Sequence, residues 1–265
     1  MKKKIYLLKS FLVFTIKKTL VYRIYLISNI FSMVVIPIII NYFMWKSLLS
    51  NNNVGMTFHN MMTYIIISNI ILLFTQVHLE QDFSKDIKSP KLGQKMLRPI
   101  GYISSLSLNQ ILSSFVVFVF IYVPIIFLTV LVKGITFNSI KILYSLIFVI
   151  IGYILNSLLS LIIGSSSFWL TEIWGVCAIR NLLTGLLAGA YFPLDILPNI
   201  VKNIMVKLPF PYMSYFPTKI LVENNTNFTE IYNGIIISIL WIILLKLISS
   251  ALIKAGLKKY SLYGA

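Results

Sequence analysis

The feature that most constrains this chain is a series of long apolar runs separated by short polar segments. About 20 apolar residues in an α-helix cross the hydrocarbon core of a membrane. Six runs approach this length, and we predict a transmembrane helix in each: Tyr25–Trp45, Met61–Val77, Leu108–Val132, Ile142–Ile163, Trp169–Ala190 and Ile231–Leu252. Only 11% of the residues are charged and 58% are hydrophobic, which leaves too little polar surface to cover a soluble globule. The sequence therefore predicts an all-α polytopic membrane protein with a single transmembrane domain over residues 1–265.

The distribution of basic residues between the apolar runs predicts the orientation of the chain. Lysine and arginine outnumber aspartate and glutamate by 23 to 7, for a net charge of +16. The basic residues concentrate in the N-terminal segment (Lys2, Lys3, Lys4, Lys9, Lys17, Lys18, Arg23), the loop after the second run (Lys85, Lys88, Lys91, Lys95, Arg98) and the C-terminal tail (Lys254, Lys258, Lys259). Basic loops stay in the cytoplasm, and six spans place these three segments on one side. We expect both termini in the cytoplasm, with basic side chains facing anionic membrane lipids rather than nucleic acid.

Two further segments are predicted to lie along the membrane rather than to cross it as one helix. Residues 1–23 mix apolar and basic side chains, which is typical of an amphipathic helix in the cytoplasmic interface; a plain extension of the first span is the alternative. Residues 191–230 contain five of the nine prolines, a density that forbids a continuous helix. We predict short, broken interfacial or re-entrant helices here, between spans five and six, on the outer face and covered by protein or lining a wet cavity.

The sequence contains no motif for catalysis or nucleotide binding. It lacks the GxxxxGK[ST], GxSxG, HExxH and CxxC patterns, and the two histidines, His59 and His78, lie at opposite ends of the second span. The loop of residues 78–102 holds three carboxylates, Glu80, Asp82 and Asp86, among basic residues. Such a group could bind a divalent metal, but a solvated face or a docking surface is favoured. We expect neither an enzyme nor a bound metal or cofactor in this chain.

Charged residues inside the fifth span need partners. Arg180 falls near the middle of this span and Glu172 near its cytoplasmic start, and a charge at the bilayer centre costs at least about 2.5 kcal/mol. The two residues are about 12 Å apart along a helix, so each should meet another span or another subunit rather than its neighbour. A structural contact between helices is favoured for Arg180, and a place on a translocation path is the alternative.

Three stretches carry a family resemblance. They are Asp86-Ile87 through Gln94-Lys95-Met96-Leu97-Arg98-Pro99; Phe168-Trp169 with Gly189-Ala190-Tyr191-Phe192-Pro193-Leu194-Asp195-Ile196-Leu197-Pro198 and Leu208-Pro209-Phe210; and Gly256-Leu257-Lys258-Lys259-Tyr260 with Tyr263-Gly264-Ala265. In this order, and with six spans around them, these stretches resemble the membrane (permease) subunit of a bacterial ABC transporter of the type-2 exporter class. The resemblance covers the whole chain.

The resemblance implies a division of labour between this chain and other subunits. Two permease chains, identical or related, would form the membrane part in the bacterial plasma membrane. Each would dock a separate ABC ATPase, which would bind ATP and Mg²⁺, and the spans would move a substrate outward by alternating access. The residues implied are Glu80, Asp82, Asp86, Lys88, Gly93 and Arg98 for an ATPase-coupling loop (78–102), and Gly189, Pro193, Asp195 and Pro198 for an external gate (191–230). Glu172 and Arg180 are candidates for the translocation path because of their charge within a span, not because of the resemblance.

Other functions remain open at this point. An ion-coupled secondary transporter or channel would need no ATPase, but such proteins usually place several charged groups in their spans. A membrane enzyme acting on lipid phosphates would need a denser group of carboxylates or histidines than this chain has. A scaffold or immunity factor is a third possibility. The sequence does not indicate whether the substrate is a peptide, a lipid, a glycan or a drug-like molecule.

Overall fold

The computed structural model of the protein describes residues 13, 35–51, 57–89, 91–96, 101–117, 139–222 and 228–262. Every regular element in these ranges is a helix. The α-helices are α1 (Ile36–Asn51), α2 (Phe58–Thr75), α3 (Leu79–Ile87), α4 (Lys91–Met96), α5 (Tyr102–Val117), α6 (Ser139–Ser165), α7 (Trp174–Leu187), α8 (Asn199–Met205), α9 (Tyr215–Val222) and α10 (Phe228–Leu262). Short 3₁₀ turns occur at Ser166–Phe168, Leu194–Ile196 and Phe210–Met213. The predicted all-α class is confirmed.

Some predicted features lie outside the described residues. They are the interfacial segment 1–23 apart from residue 13, the first span before residue 35, the third span after residue 117, and Arg98. All of these stay predictions.

Two of the described helices are long and apolar enough to cross a membrane. Their apolar stretches, Ile140–Phe168 and Phe228–Tyr260, each contain an 18-residue window, with mean hydropathies of 2.6 and 2.5. At about 1.5 Å per residue, α6 and α10 extend about 40 and 52 Å, which exceeds a hydrocarbon core of roughly 30 Å. The side chains of Leu240 and Leu247 on α10 are 60% and 64% exposed, as expected for a face in contact with lipid. Because α1, α2 and α7 are apolar but shorter, the count of six spans stays a prediction.

The fifth predicted span is shorter in the structure than in the sequence analysis. Helix α7 has 14 residues, or about 21 Å, and residues 169–173 before it are not helical. At its other end, Gly189 adopts a φ of +70°, a left-handed conformation that favours glycine and ends a helix. The backbone N–H of Ala190 then donates to the carbonyl of Gly185 at 3.2 Å. The apolar run therefore overstates the helix at both ends.

The chain divides into two compact units that are interleaved in sequence. The first comprises residues 1–62 and 107–137, and the second comprises residues 63–106 and 138–265. In the first unit, the ring of Tyr42 contacts those of Phe43 and Phe58 edge-on. The second unit contains all the described residues that the sequence analysis singles out as site candidates. The single transmembrane domain stays a prediction.

Helix α6 is the centre of the second unit and packs against α3, α9 and α10. Gly152, its middle residue, faces the 3₁₀ turn of the proline-rich segment, where a Cβ would stand 2.8 Å from Met213 Cα and 3.0 Å from the Tyr212 carbonyl oxygen. The rings of Phe148, Tyr212 and Phe216 stack beside this contact. The proline-rich segment is thus made of short helices, as predicted, and it reaches halfway along a helix long enough to span a membrane.

Candidate functional site

Helix α3 is an amphipathic helix inside the charged loop 78–102. Leu79, Phe83 and Ile87, each four residues after the last, are buried against the rest of the unit. Gln81, Asp82 and Lys85 are exposed. The acidic residues of the first turn and the lysine of the last turn also complement the helix dipole. The loop therefore presents one charged face outward and fixes its other face to the long helices.

Glu80 is the most unusual residue on α3 because its carboxylate is completely buried. Its backbone N–H donates to Ser160 Oγ on α6 at 3.0 Å, and the Ser160 hydroxyl donates back to Glu80 Oε2. Gly164, one turn further along α6, brings the two helices together, since a Cβ there would stand 3.0 Å from Glu80 Cα. The first turn of α3 is thereby locked onto α6.

Arg180 on α7 supplies the charge that balances Glu80. Its Nη2 lies 3.1 Å from Glu80 Oε1, and its side chain is only 5% exposed. Nη1 and Nη2 also donate to the carbonyl of Val77 at 3.0 and 3.1 Å. This carbonyl belongs to the non-helical residues between α2 and α3, so one guanidinium joins the end of α2, the start of α3 and the middle of α7. The partner expected for Arg180 on another element is therefore Glu80.

His78 completes this cluster, which we call the ion-pair node (Val77, His78, Glu80, Ser160 and Arg180). Its Nδ1 lies 3.3 Å from both Glu80 Oε1 and Arg180 Nη2. Burial would raise the pKa of the Glu80 carboxyl, but the hydrogen bonds from His78 and Ser160 and the charge of Arg180 outweigh burial and hold this pKa below its usual value. Glu80 is therefore ionised at neutral pH, and the node is a true ion pair.

Asp86, at the other end of α3, is also buried and paired internally. Lys95 Nζ on α4 donates to its two oxygens at 2.6 and 2.7 Å, and the Tyr102 hydroxyl at the start of α5 donates at 2.7 Å. Burial and the neighbouring Asp86 raise the pKa of Tyr102, so this phenol stays protonated and able to donate. Asp86 thus holds α3, α4 and α5 together.

Of the other candidates of the charged loop, Asp82 and Lys88 are exposed, Gly93 is partly exposed, and Arg98 lies outside the described residues. Lys88 Nζ pairs with Glu172 Oε1 at 2.9 Å, with 40% and 82% of the two side chains exposed. Such a surface pair contributes little to stability. Gly93 has open space around the position of a Cβ. A solvated face was expected from Glu80, Asp82 and Asp86 together, and this expectation is wrong for Glu80 and Asp86 because α3 turns their carboxylates inward to Arg180 and Lys95.

The candidates of the proline-rich segment 191–230 surround Asp195. Pro193 and Pro198 flank the 3₁₀ turn that carries this residue. Asp195 accepts hydrogen bonds from Lys202 Nζ at 2.6 Å and from the Tyr215 hydroxyl at 2.9 Å, and Lys219 Nζ lies 3.9 Å away. The carbonyl of Gly189, just before the turn, accepts a hydrogen bond from the Tyr64 hydroxyl at 2.8 Å. Asp195 thus ties the turn to α8 and α9.

Sequence reasoning missed several residues that complete these sites. Ser160 and Asn156 lie four residues apart on α6, and Asn156 Nδ2 donates to the carbonyl of Thr75 at 3.0 Å. Tyr102 was also missed as a partner of Asp86. The available signal was the spacing of Asn156 and Ser160, because two polar side chains on one face of an otherwise apolar span indicate a buried contact.

Comparison with known proteins places the chain in a family. The family described as ABC-2 family transporter protein matches residues 35–264 of the chain. None of the curated proteins compared with the chain matches it significantly.

Proposed function

The chain belongs to the ABC-2 family of transporter proteins, and from this membership we propose that it is the permease subunit of an ATP-driven exporter. Two such chains, identical or related, form the membrane part, and each docks an ABC ATPase subunit that binds ATP and Mg²⁺. The complex lies in the bacterial plasma membrane with both termini of this chain in the cytoplasm. It moves its substrate outward by alternating access.

The observation that carries this proposal is the two-sided character of α3. Its exposed face offers Gln81, Asp82 and Lys85 to a soluble partner, and opposite charges on such a face favour a specific orientation of that partner. Its buried face is tied to α6 by Ser160 and to α7 by Arg180. A force applied to α3 therefore reaches two apolar helices through a short, buried path. This is the arrangement that a subunit driven by an external ATPase needs.

The proline-rich segment supports the other half of the proposal. It consists of short helices rather than one rigid span, and the contacts with Lys202 and Tyr215 that join its turn to α8 and α9 meet at Asp195, whose side chain is 23% exposed. A few ionic contacts at the surface can break and reform at low cost. We propose that Gly189, Pro193, Asp195 and Pro198 form an external gate that opens when the helices below it move.

The first experiment is purification of the tagged chain from its native membrane in mild detergent, followed by mass spectrometry. A co-purifying protein with a GxxxxGK[ST] loop is the expected result, and a second permease beside it would show a heterodimer. If no ATPase is found in several detergents, the ABC assignment of the mechanism is wrong, and ion-coupled transport is then the function to test.

A variant with reversed charges on α3 tests the docking face directly. Asp82→Lys with Lys85→Glu keeps the net charge and alters only exposed side chains. We expect this double variant to insert and fold normally but to lose most of the co-purifying ATPase. Lys207→Glu is the control, because Lys207 is also exposed but lies in the proline-rich segment. Equal ATPase recovery from both variants would show that α3 is not the docking face.

A further inference from the structure

A groove lies where the charged loop meets the C-terminal part of α10. It has a volume of about 210 Å³. The residues that line it are Phe83, Leu92, Met96, Gly101, Tyr102, Ile103, Ser104, Ile253 and Leu257. The hydroxyl of Tyr102 is engaged by Asp86, so the ring is the part of this residue that a ligand can contact. The groove is thus an apolar slot, and the part of a ligand that enters it must be apolar as well.

The charge at the edge of this slot is positive. Lys254 and Lys258 follow the lining residues Ile253 and Leu257 in sequence, one helical turn apart, and both are exposed. The carboxylate of Asp86 beside the slot is neutralised by Lys95 at 2.6 Å. Glu80 is paired with Arg180. Asp82 lies on the exposed face of α3, close enough for its charge to act on Tyr102, so it opposes part, but not all, of the charge of the two lysines. An apolar slot with two lysines at its edge fits a ligand that has an apolar chain and an anionic head.

The position of the slot along α10 identifies the source of such a ligand. Apolar side chains such as Leu247 and Ile248 are exposed just before it, and the basic residues Lys254, Lys258 and Lys259 follow. This change marks the boundary between hydrocarbon and lipid head groups, where basic side chains attract anionic lipids. We infer that the groove binds one acyl chain of an anionic phospholipid, whose phosphate group lies over Lys254 and Lys258.

Native mass spectrometry of the whole chain tests this inference without any knowledge of the transported substrate. The chain is released from nanodiscs that contain phosphatidylcholine with an equal amount of phosphatidylglycerol, and the retained lipids are counted. We expect one retained phosphatidylglycerol in preference to phosphatidylcholine. Lys254→Gln with Lys258→Gln should reduce this preference by roughly fivefold per lysine, whereas Lys207→Gln should leave it unchanged. Equal retention of both lipids by the unaltered chain would overturn the inference.

A second variant tests the apolar slot. Leu257→Trp should fill it and abolish retention of the lipid, whereas Leu247→Trp, on the exposed apolar face of the same helix, should not. If Leu257→Trp does not fold, Ile253→Trp serves the same purpose at the other end of the slot. Normal retention by a folded Leu257→Trp or Ile253→Trp variant would show that the lipid binds elsewhere.

The chain itself is the competing occupant. A photoreactive residue in place of Ile253 should form its cross-link with lipid in the native membrane. A cross-link to residues 1–34 of the same chain would show that the N-terminal segment fills the groove, and the inference would then be wrong.

Discussion

Arg180 and Glu80 are tolerated in an apolar environment because each cancels the charge of the other and because their remaining polar atoms are mostly bonded. Transfer of either charge alone from water to the protein interior would cost several kcal/mol. The carbonyl of Val77 and the hydroxyl of Ser160 satisfy part of the remaining hydrogen-bonding capacity. Arg180 Nε is buried without a partner among the described residues. The five residues of the node therefore depend on one another rather than acting independently.

Removal of one charge from the node is predicted to destabilise the folded chain far more than removal of both. Arg180→Met should destabilise the chain by about 3–5 kcal/mol, since it leaves Glu80 buried and unpaired. This corresponds to a fall of roughly 10 °C in melting temperature. The double variant Glu80→Gln with Arg180→Met should recover most of this loss, because it leaves no buried charge.

Thermal unfolding in detergent measures these effects, with Ile179→Met as the control at an exposed position beside Arg180. If the effects of Glu80→Gln and Arg180→Met on the melting temperature simply add in the double variant, the ion pair does not exist in the folded chain. The same double variant also tests whether the node transmits movement. If it is stable and its proline-rich segment still changes conformation with ATP, the node is structural and does not transmit movement from α3.

At the level of elements, α6 organises the second unit because two of its glycines let other backbones approach. Gly164 admits the first turn of α3, and Gly152 admits the 3₁₀ turn at Met213. At Gly152 the two nearest atoms are backbone, and at Gly164 they are a Phe83 ring carbon at 2.9 Å and the Cα of Glu80 at 3.0 Å. Backbone cannot move aside as a flexible side chain can. The helix thus links the charged loop to the proline-rich segment through close packing at two points along its length.

A methyl group at Gly152 is predicted to disturb this packing. Gly152→Ala should cost about 1–3 kcal/mol, as other overpacked sites do, and should make residues 206–222 more accessible to protease. Gly175→Ala on α7 is the matched control: a Cβ there meets nothing within 4 Å, and alanine is the better helix former. Equal stability of the two variants would show that the contact between α6 and the 3₁₀ turn is looser than the structure indicates.

Asp195 holds the 3₁₀ turn of the proline-rich segment to α8 and α9 through Lys202 and Tyr215. Asp195→Asn removes the charge that Lys202 and Lys219 share, and we expect a loss of about 1 kcal/mol, because the site is partly exposed. Hydrogen exchange of residues 191–206 should then become faster, while exchange in α6 should not change. Unchanged exchange in residues 191–206 would show that the charge of Asp195 is not needed to hold these residues in place.

For the whole molecule, the sequence predicts the helical class and the broken segment well, because apolar runs and prolines act locally. It predicts the burial and the partners of the charged residues less well. Glu80 and Asp86 occur in a basic loop, and only the fold of α3 against α6 shows that both turn inward. The length of α7 was overestimated for a similar reason, since the residues around Trp169 are apolar although they are not helical. Partners that are distant in sequence decide each of these outcomes.

The proposed assembly predicts how many chains the complex contains, and therefore its mass. The complex purified in mild detergent should contain two permease chains of 30.3 kDa, or this chain with one related permease, together with two ATPase subunits. Light scattering with correction for detergent measures this mass. A complex with a single permease chain would contradict the assembly even if an ATPase is present.

The hydrogen bond from the Thr75 hydroxyl to the carbonyl of Met213 spans 138 residues of sequence, and this separation matters during synthesis. At about 5–20 residues per second, the ribosome needs about 7 to 28 seconds to supply Met213 after Thr75. Helix α2 waits throughout this interval without the segment that will cover it, and the glycine-bearing face of α6 waits from the synthesis of Gly152 onward. The nascent chain is therefore expected to depend on an insertase or on surrounding lipid to shield that face, and to be most vulnerable to degradation before translation is complete.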